Sequence, residues 1–217
     1  MSSKNYKLVM FDMDGTLLRD RGIFVIAEKY GFLQDLNRLI KKKDLQYYER
    51  SIEIAKLSKN FKYQDFIKIF RDLKLQNDVE KIISILNEKD IKTVIATDSY
   101  QFLADDLKNR LGIDYAFANN LIIDKDIITG KLIIQNTSLI KDFDKTRVYS
   151  INKGCVLEEL CKELNISLSE TIAVGDGFVD ISMIKKAGLG IAFKAPIGVQ
   201  KHADIITDEL DVILDHI

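Results

Sequence analysis

Lys7-Leu8-Val9-Met10-Phe11-Asp12-Met13-Asp14-Gly15-Thr16-Leu17 is the stretch whose reading decides the fold. Its short apolar run is that of a strand buried on both faces. The run leads straight into two carboxylates, and strand residues i and i+2 point the same way. Asp12 and Asp14 would crowd if the strand continued, and like charges that close repel. A bound divalent cation is the simplest relief. The arrangement repeats near the other end, where apolar Thr171-Ile172-Ala173-Val174 is followed by Gly175-Asp176-Gly177-Phe178-Val179-Asp180. These two stretches set up the expectation of two strand ends meeting around one metal.

Outward from them, apolar runs at 8–11, 93–96, 115–118, 171–174, 189–192 and 204–206 read as strands. Helical patterns at 79–87, 100–111, 154–164 and 179–187 lie between most of them. Continuous apolar strands spaced by helices predict an α/β fold, a Rossmann-like parallel-sheet core with helices on both faces. Ligands bind such sheets beyond the C-terminal ends of the strands. Asp12, Asp14, Thr97, Asp98, Asp176 and Asp180 all fall at that edge. The alternation breaks between residues 19 and 75, where helical spacings at 23–30, 36–40, 45–57 and 63–73 contain no strand. The expected organisation is a core of residues 1–18 and 76–217 with a small α-helical cap, 19–75, inserted after the first strand and overhanging the site. A second irregular piece, 119–153, reads as a β-hairpin excursion around Asp124-Lys125-Asp126.

Composition narrows the function classes. A chain of 217 residues, 47% hydrophobic, suits one large domain or a core with an insert. Its 32 basic and 33 acidic residues leave a net charge of -1, so there is no broad basic field for nucleic acid. Cys155 and Cys161, the only cysteines, fall on different faces of one predicted helix and read as buried thiols. With His202 and His216 as the only histidines, there is no zinc-ligand pattern, and both histidines read as surface residues. No run reaches membrane-spanning length and the N-terminal residues lack a signal-peptide core, so the expectation is a cytoplasmic protein, monomer or homodimer.

Four motifs in order carry a resemblance: Asp12-Met13-Asp14-Gly15-Thr16, then Thr97 after Val94-Ile95-Ala96, then Lys153 in Asn152-Lys153-Gly154, then Gly175-Asp176 through Asp180. The chain resembles the haloacid dehalogenase superfamily, and within it the phosphoserine phosphatase group; Leu111-Gly112-Ile113-Asp114-Tyr115-Ala116-Phe117-Ala118-Asn119 is similar to that group as well. The resemblance implies a Mg²⁺-dependent phosphatase of a small phosphorylated metabolite. Asp12 would be the nucleophile, forming an aspartyl-phosphate, and Asp14 the acid/base. Thr97 and Lys153 would meet the phosphoryl oxygens. The Asp12 and Asp176 side chains with the Asp14 backbone carbonyl would hold the metal, while Asp180 would orient a metal-bound water.

The departures from that group concern the substrate. Arg21 stands where the group usually carries a Glu for the substrate ammonium, with Asp20 and Glu28 nearby. The cap Arg of the group falls near Ile54, one helical turn from Arg50, and Val179 replaces an Asn. Thr97-Asp98-Ser99 replaces Ser-Gly-Gly, making Asp98, Ser99 and Arg21 candidate substrate contacts. A site built for one polar group strongly rejects another, so an Arg at the ammonium position places phosphoserine behind other phosphomonoesters. Asp98-Ser99 also fits a plain helix cap before Tyr100. Three other readings remain: phosphoserine phosphatase proper, a phosphotransferase or phosphomutase sharing the aspartyl-phosphate, and a non-catalytic binding or sensor protein on the same fold. Asp14 disfavours a dehalogenase, since that branch lacks the second Asp.

Overall fold

In the computed structural model, residues 5–217 are described. Seven strands form one sheet in the order β4-β3-β2-β1-β5-β6-β7. The strands are β1 (Leu8–Phe11), β2 (Lys92–Tyr100), β3 (Tyr115–Asp124), β4 (Ile127–Ile133), β5 (Thr171–Gly175), β6 (Leu189–Phe193) and β7 (Ile205–Thr207). All neighbours run parallel except β3 and β4, which form the hairpin. The central β1 pairs on both sides, Met10 with Val94 of β2 and with Ala173 of β5. Alternate side chains of β1 enter different cores, as the two-residue period requires. Val9 and Phe11 join one cluster with Ile95, Ile172, Val174 and Ile191. Leu8 and Met10 join the other with Val94, Ala96 and Ala173, covered by Val156, Leu157 and Leu160. A sheet buried on both faces explains why β1 and β5 read as unbroken apolar runs.

Between β1 and the first core helix lie α1 (Gly22–Tyr30), α2 (Leu33–Ile40), α3 (Tyr47–Leu57) and α4 (Tyr63–Arg71). Gly31, with φ 77°, ends α1 in the left-handed conformation that glycine adopts without strain. Leu36, Phe66 and Phe70 of these helices belong to the same apolar cluster as Phe11 of the sheet, so the helical stretch shares its packing with one sheet face. It is also laced to the hairpin. Asn60 N–H donates to the Ile128 carbonyl, Ile128 N–H to Phe61 and Tyr63 N–H to Asp126.

The remaining helices are α5 (Val79–Glu88), α6 (Gln101–Leu111), α7 (Lys153–Leu164), α8 (Ile181–Lys186) and α9 (Ile197–Gln200). Short 3₁₀ turns run over Leu168–Glu170, Phe178–Asp180 and Leu210–His216. The structure changes several sequence expectations. The strand expected to stop at 96 continues to Tyr100, with an irregular register between Ala96 and Tyr100. The helix cap expected at Asp98-Ser99 is therefore not one. α6 starts at Gln101 without any side-chain cap, because pairing with β3 overrides the local capping preference. The strand expected at 115–118 runs on to Asp124 and is itself the first arm of the hairpin. The helix expected at 179–187 opens with the 3₁₀ turn over Phe178–Asp180. Cys161 is buried, but Cys155 is only half-buried, and both are free.

Candidate active site

The carboxylates meet where β1 and β5 end side by side. Asp12 N–H donates to the Val174 carbonyl at 2.9 Å, which carries the ladder one residue past β1 and fixes the start of the acidic loop. Asp12, Asp176 and Asp180 each bring a carboxylate oxygen to one point, all within 4.8 Å of one another. Asp12 and Asp180 are almost fully buried. Close opposite charge comes from Lys153, whose side chain has no exposed surface. Its Nζ donates to Asp12 Oδ1 at 2.6 Å and to Asp180 Oδ1 at 2.5 Å. Burial alone would lower the Lys153 pKa, but Asp12 and Asp180 outweigh it and hold the ammonium charged.

Lys153 is the first residue of α7. Asn152 caps that helix by accepting from Cys155 N–H at 3.0 Å, and Gly154 N–H donates to Ser182 Oγ at 3.1 Å. A Cβ at Gly154 would stand 2.9 Å from the Ser182 carbonyl, so glycine lets α7 approach α8 closely enough to deliver the lysine.

The two neighbouring carboxylates differ in environment. Asp14 accepts from Gly22 N–H at 2.6 Å, at the start of α1. Surrounding protein walls it in while the cavity still admits solvent. Burial, with Asp12 and Asp98 adding repulsion, pushes its pKa to about 7 against the pull of the Gly22 amide. Asp176 is pushed to about 8, by burial first and then by Asp12 and Asp180. Burial also pushes Asp180 up, against Lys153 and the Gly177 N–H that donates to its Oδ2 at 2.8 Å. Both Asp180 oxygens thus have protein donors, which agrees with a carboxylate that orients rather than coordinates. A buried cluster of carboxylate oxygens with a single lysine is a donor set suited to a hard divalent cation. Asp12 and Asp176 are the members of the cluster with most capacity left for one.

Above this floor opens a cavity of about 350 Å³. Asp12, Asp14, Asp98, Ser99 and Asp176 line it from the sheet side. Arg21 lines it too, its guanidinium 4.0 Å from Asp176. Thr97 lies fully buried behind Ser99, whose N–H donates to Thr97 Oγ1 at 3.2 Å. Of the residues expected at the strand ends, Asp12, Asp14, Asp98 and Asp176 line the cavity and Asp180 joins the carboxylate cluster, while Thr97 is buried behind the wall. Asp20 and Glu28, weighed as acidic partners for an ammonium, are exposed and lie outside the cavity wall.

Sequence reasoning pointed to Arg50 and Ile54 in the roof and missed the rest of it. Ile23, Phe24, Ile40, Tyr47, Arg50, Ser51 and Ile54 come from α1 to α3, Leu132 from the hairpin, and Tyr149 and Ser150 from the irregular segment before α7. Arg50 donates through Nη2 to the Lys42 carbonyl at 2.6 Å, while its buried Nε has no acceptor among the described residues. Ser51 Oγ donates to Ser150 Oγ at 3.2 Å, joining α3 to the core. No local motif marks the positions other than Arg50 and Ile54; they are adjacent only in the folded chain.

Comparison with known proteins agrees with this geometry. The family described as haloacid dehalogenase-like hydrolase matches residues 6–188. The chain belongs to that family of hydrolases. It is 30% identical to a phosphoserine phosphatase of Methanocaldococcus jannaschii over 212 residues, covering 96% of this chain and 95% of the relative. A phosphoserine phosphatase of Campylobacter jejuni subsp. doylei is 29% identical, covering 95% and 96%. The fold is similar to a solved phospho-aspartyl intermediate analogue of phosphoserine phosphatase, with TM-score 0.82 at 30% identity, covering 99% of this chain and all of that one. Fold, family and relatives together define the chain as a phosphatase of this hydrolase family.

Proposed function

We propose that the chain is a Mg²⁺-dependent phosphomonoester hydrolase acting on a small phosphorylated metabolite through an aspartyl-phosphate on Asp12. The observation that supports this most is Asp12 held by Lys153 at the floor of a partly open cavity, with Asp176 and Asp14 beside it. The Asp12 carboxylate attacks phosphorus as the bond to the alcohol oxygen breaks. Asp14, with its pKa near neutrality and its carboxyl anchored on Gly22 N–H, gives its proton to the departing alkoxide. The same group, now a base, takes a proton from a water that attacks phosphorus and displaces Asp12, releasing phosphate. Lys153 Nζ and the Thr97 hydroxyl stabilise charge on the phosphoryl oxygens. Mg²⁺ would be held by Asp12, Asp176 and the Asp14 backbone carbonyl, and when bound it supplies positive charge against the phosphate. Residues 19–75, acting as a cap with the hairpin, exclude bulk water.

Relatives named phosphoserine phosphatases, matched over nearly their whole length, make phosphoserine the first substrate to assay. Arg21 and Arg50 on the cavity wall keep other anionic phosphomonoesters beside it. Phosphate release should require Mg²⁺ and stop in EDTA. Asp12→Asn should lower turnover by roughly 10³-fold or more; unchanged turnover in that variant overturns the mechanism.

A further inference from the structure

The two halves of the cavity differ in chemistry. Its acidic lining residues, Asp12, Asp14, Asp98 and Asp176, lie at or next to the strand ends where the phosphoryl group is handled. The roof offers no carboxylate to a ligand. It presents Ile23, Phe24, Ile54 and Leu132, each only half-buried, and Ile40 at 36% exposed. Apolar surface left uncovered inside a pocket is the usual signature of a ligand's apolar part. The charge near that roof is positive, from Arg50 on α3, with a buried Nε lacking an acceptor among the described residues. An ammonium in this half would meet a guanidinium, hydrocarbon and the hydroxyl-bearing Tyr47, Ser51, Tyr149 and Ser150, with no protein carboxylate among the residues lining that half to pair with.

We propose that the alcohol released by this site carries a branched or aromatic apolar body and no ammonium group, the body packing against Phe24, Ile54 and Leu132. This rests on the phosphomonoesterase reading above and specifies its leaving group. Apolar contact is made alike before and after phosphoryl transfer, so it should act through KM more than through kcat.

The test compares Mg²⁺-dependent phosphate release within pairs whose leaving alcohols are chemically alike. Ethyl phosphate and 3-methylbutyl phosphate differ by a branched three-carbon extension, and 3-phosphoglycerate differs from phosphoserine by a hydroxyl in place of the ammonium. The proposal expects kcat/KM for 3-methylbutyl phosphate to exceed that for ethyl phosphate by roughly tenfold or more, the scale of burying a few carbons. It also expects 3-phosphoglycerate to be hydrolysed faster than phosphoserine. Ile54→Asp should reduce the first ratio and shift the second toward phosphoserine. Phosphoserine as the best substrate, with no gain from the longer alkyl chain, overturns the proposal and leaves the hydrolase reading intact. No release from any of the four, nor from p-nitrophenyl phosphate, overturns both.

Discussion

Lys153 is a cation placed in the first turn of α7, where the aligned peptide dipoles disfavour positive charge. It is also fully buried, which penalises the charge again. Both costs are met by two carboxylates at 2.6 and 2.5 Å. Removing the lysine would leave Asp12 and Asp180 facing each other with no cation between them, while Asp176 keeps only Arg21 at 4.0 Å. Lys153→Met should therefore destabilise the metal-free protein by roughly 3–5 kcal/mol, the scale for breaking one side of a buried pair. Chemical denaturation in EDTA reads this directly. Added Mg²⁺ should recover part of the stability but not the turnover, since the charge opposite the phosphoryl oxygens is gone. A melting curve unaltered by the substitution would mean that the lysine is not the counter-ion of the cluster.

Among elements, the extension of β2 past Ala96 has the largest effect on the site. Four more residues of strand carry Asp98 and Ser99 to the cavity wall, where a helix cap would have turned them toward α6. What holds that extension is Asn119 on β3, with no exposed surface. Its Nδ2 donates to the Asp98 carbonyl at 2.7 Å and to Ser150 Oγ at 2.9 Å, and its Oδ1 accepts from Gln135 N–H at 3.0 Å. One amide thus joins the end of β2, the hairpin exit and the segment before Lys153. Asn119→Ala leaves the buried Ser150 hydroxyl and the part-buried Asp98 carbonyl and Gln135 N–H each short of a hydrogen bond, at about 1–3 kcal/mol for a group left unsatisfied away from water. The expected result is a lower melting temperature and a KM raised several-fold as Asp98 and Ser150 drift. A variant that loses stability while KM and kcat stay at wild-type values would limit Asn119 to a packing role.

At the scale of the whole molecule, the cluster makes stability depend on pH and metal together. Asp14 and Asp176 have folded pKa values of about 7 and about 8, above the value near 4 expected in the unfolded chain. Between those limits the folded state binds more protons than the unfolded state, so stability falls as pH rises. The stabilising contribution of these groups is complete below about pH 4 and is lost as pH passes through 7–8. In EDTA, the melting temperature should accordingly be higher at pH 5 than at pH 8. Mg²⁺ prefers the ionised carboxylates, so its stabilising effect should grow from pH 5 to pH 8 and flatten the profile. A melting temperature in EDTA that rises from pH 5 to pH 8 would contradict the assigned shifts.

The sequence by itself determined the parallel core, because strands buried on both faces must be apolar without alternation, as residues 8–11 and 171–174 are. It also determined the floor of the site. Asp12, Asp14 and Asp176 were legible because paired carboxylates at strand ends have few structural explanations, and Lys153 because its motif falls in order between them. The resemblance added the hydrolase family, which the comparisons bear out. The sequence did not fix where β2 ends, since local preference at Asp98-Ser99 favours a cap and only pairing with β3 overrides it. Nor did it assign the roof. Arg50 and Ile54, Leu132, and Ser150 belong to three separate stretches whose local patterns are those of ordinary helix, hairpin and loop. Their facing one cavity follows from packing the helical insert onto the hairpin and the sheet, a long-range arrangement that no local spacing encodes. The residues proposed for catalysis were readable because that chemistry needs particular residue types at one sheet edge. The substrate's surroundings were decided by tertiary structure, because apolar contact needs only shape, and many sequences supply it.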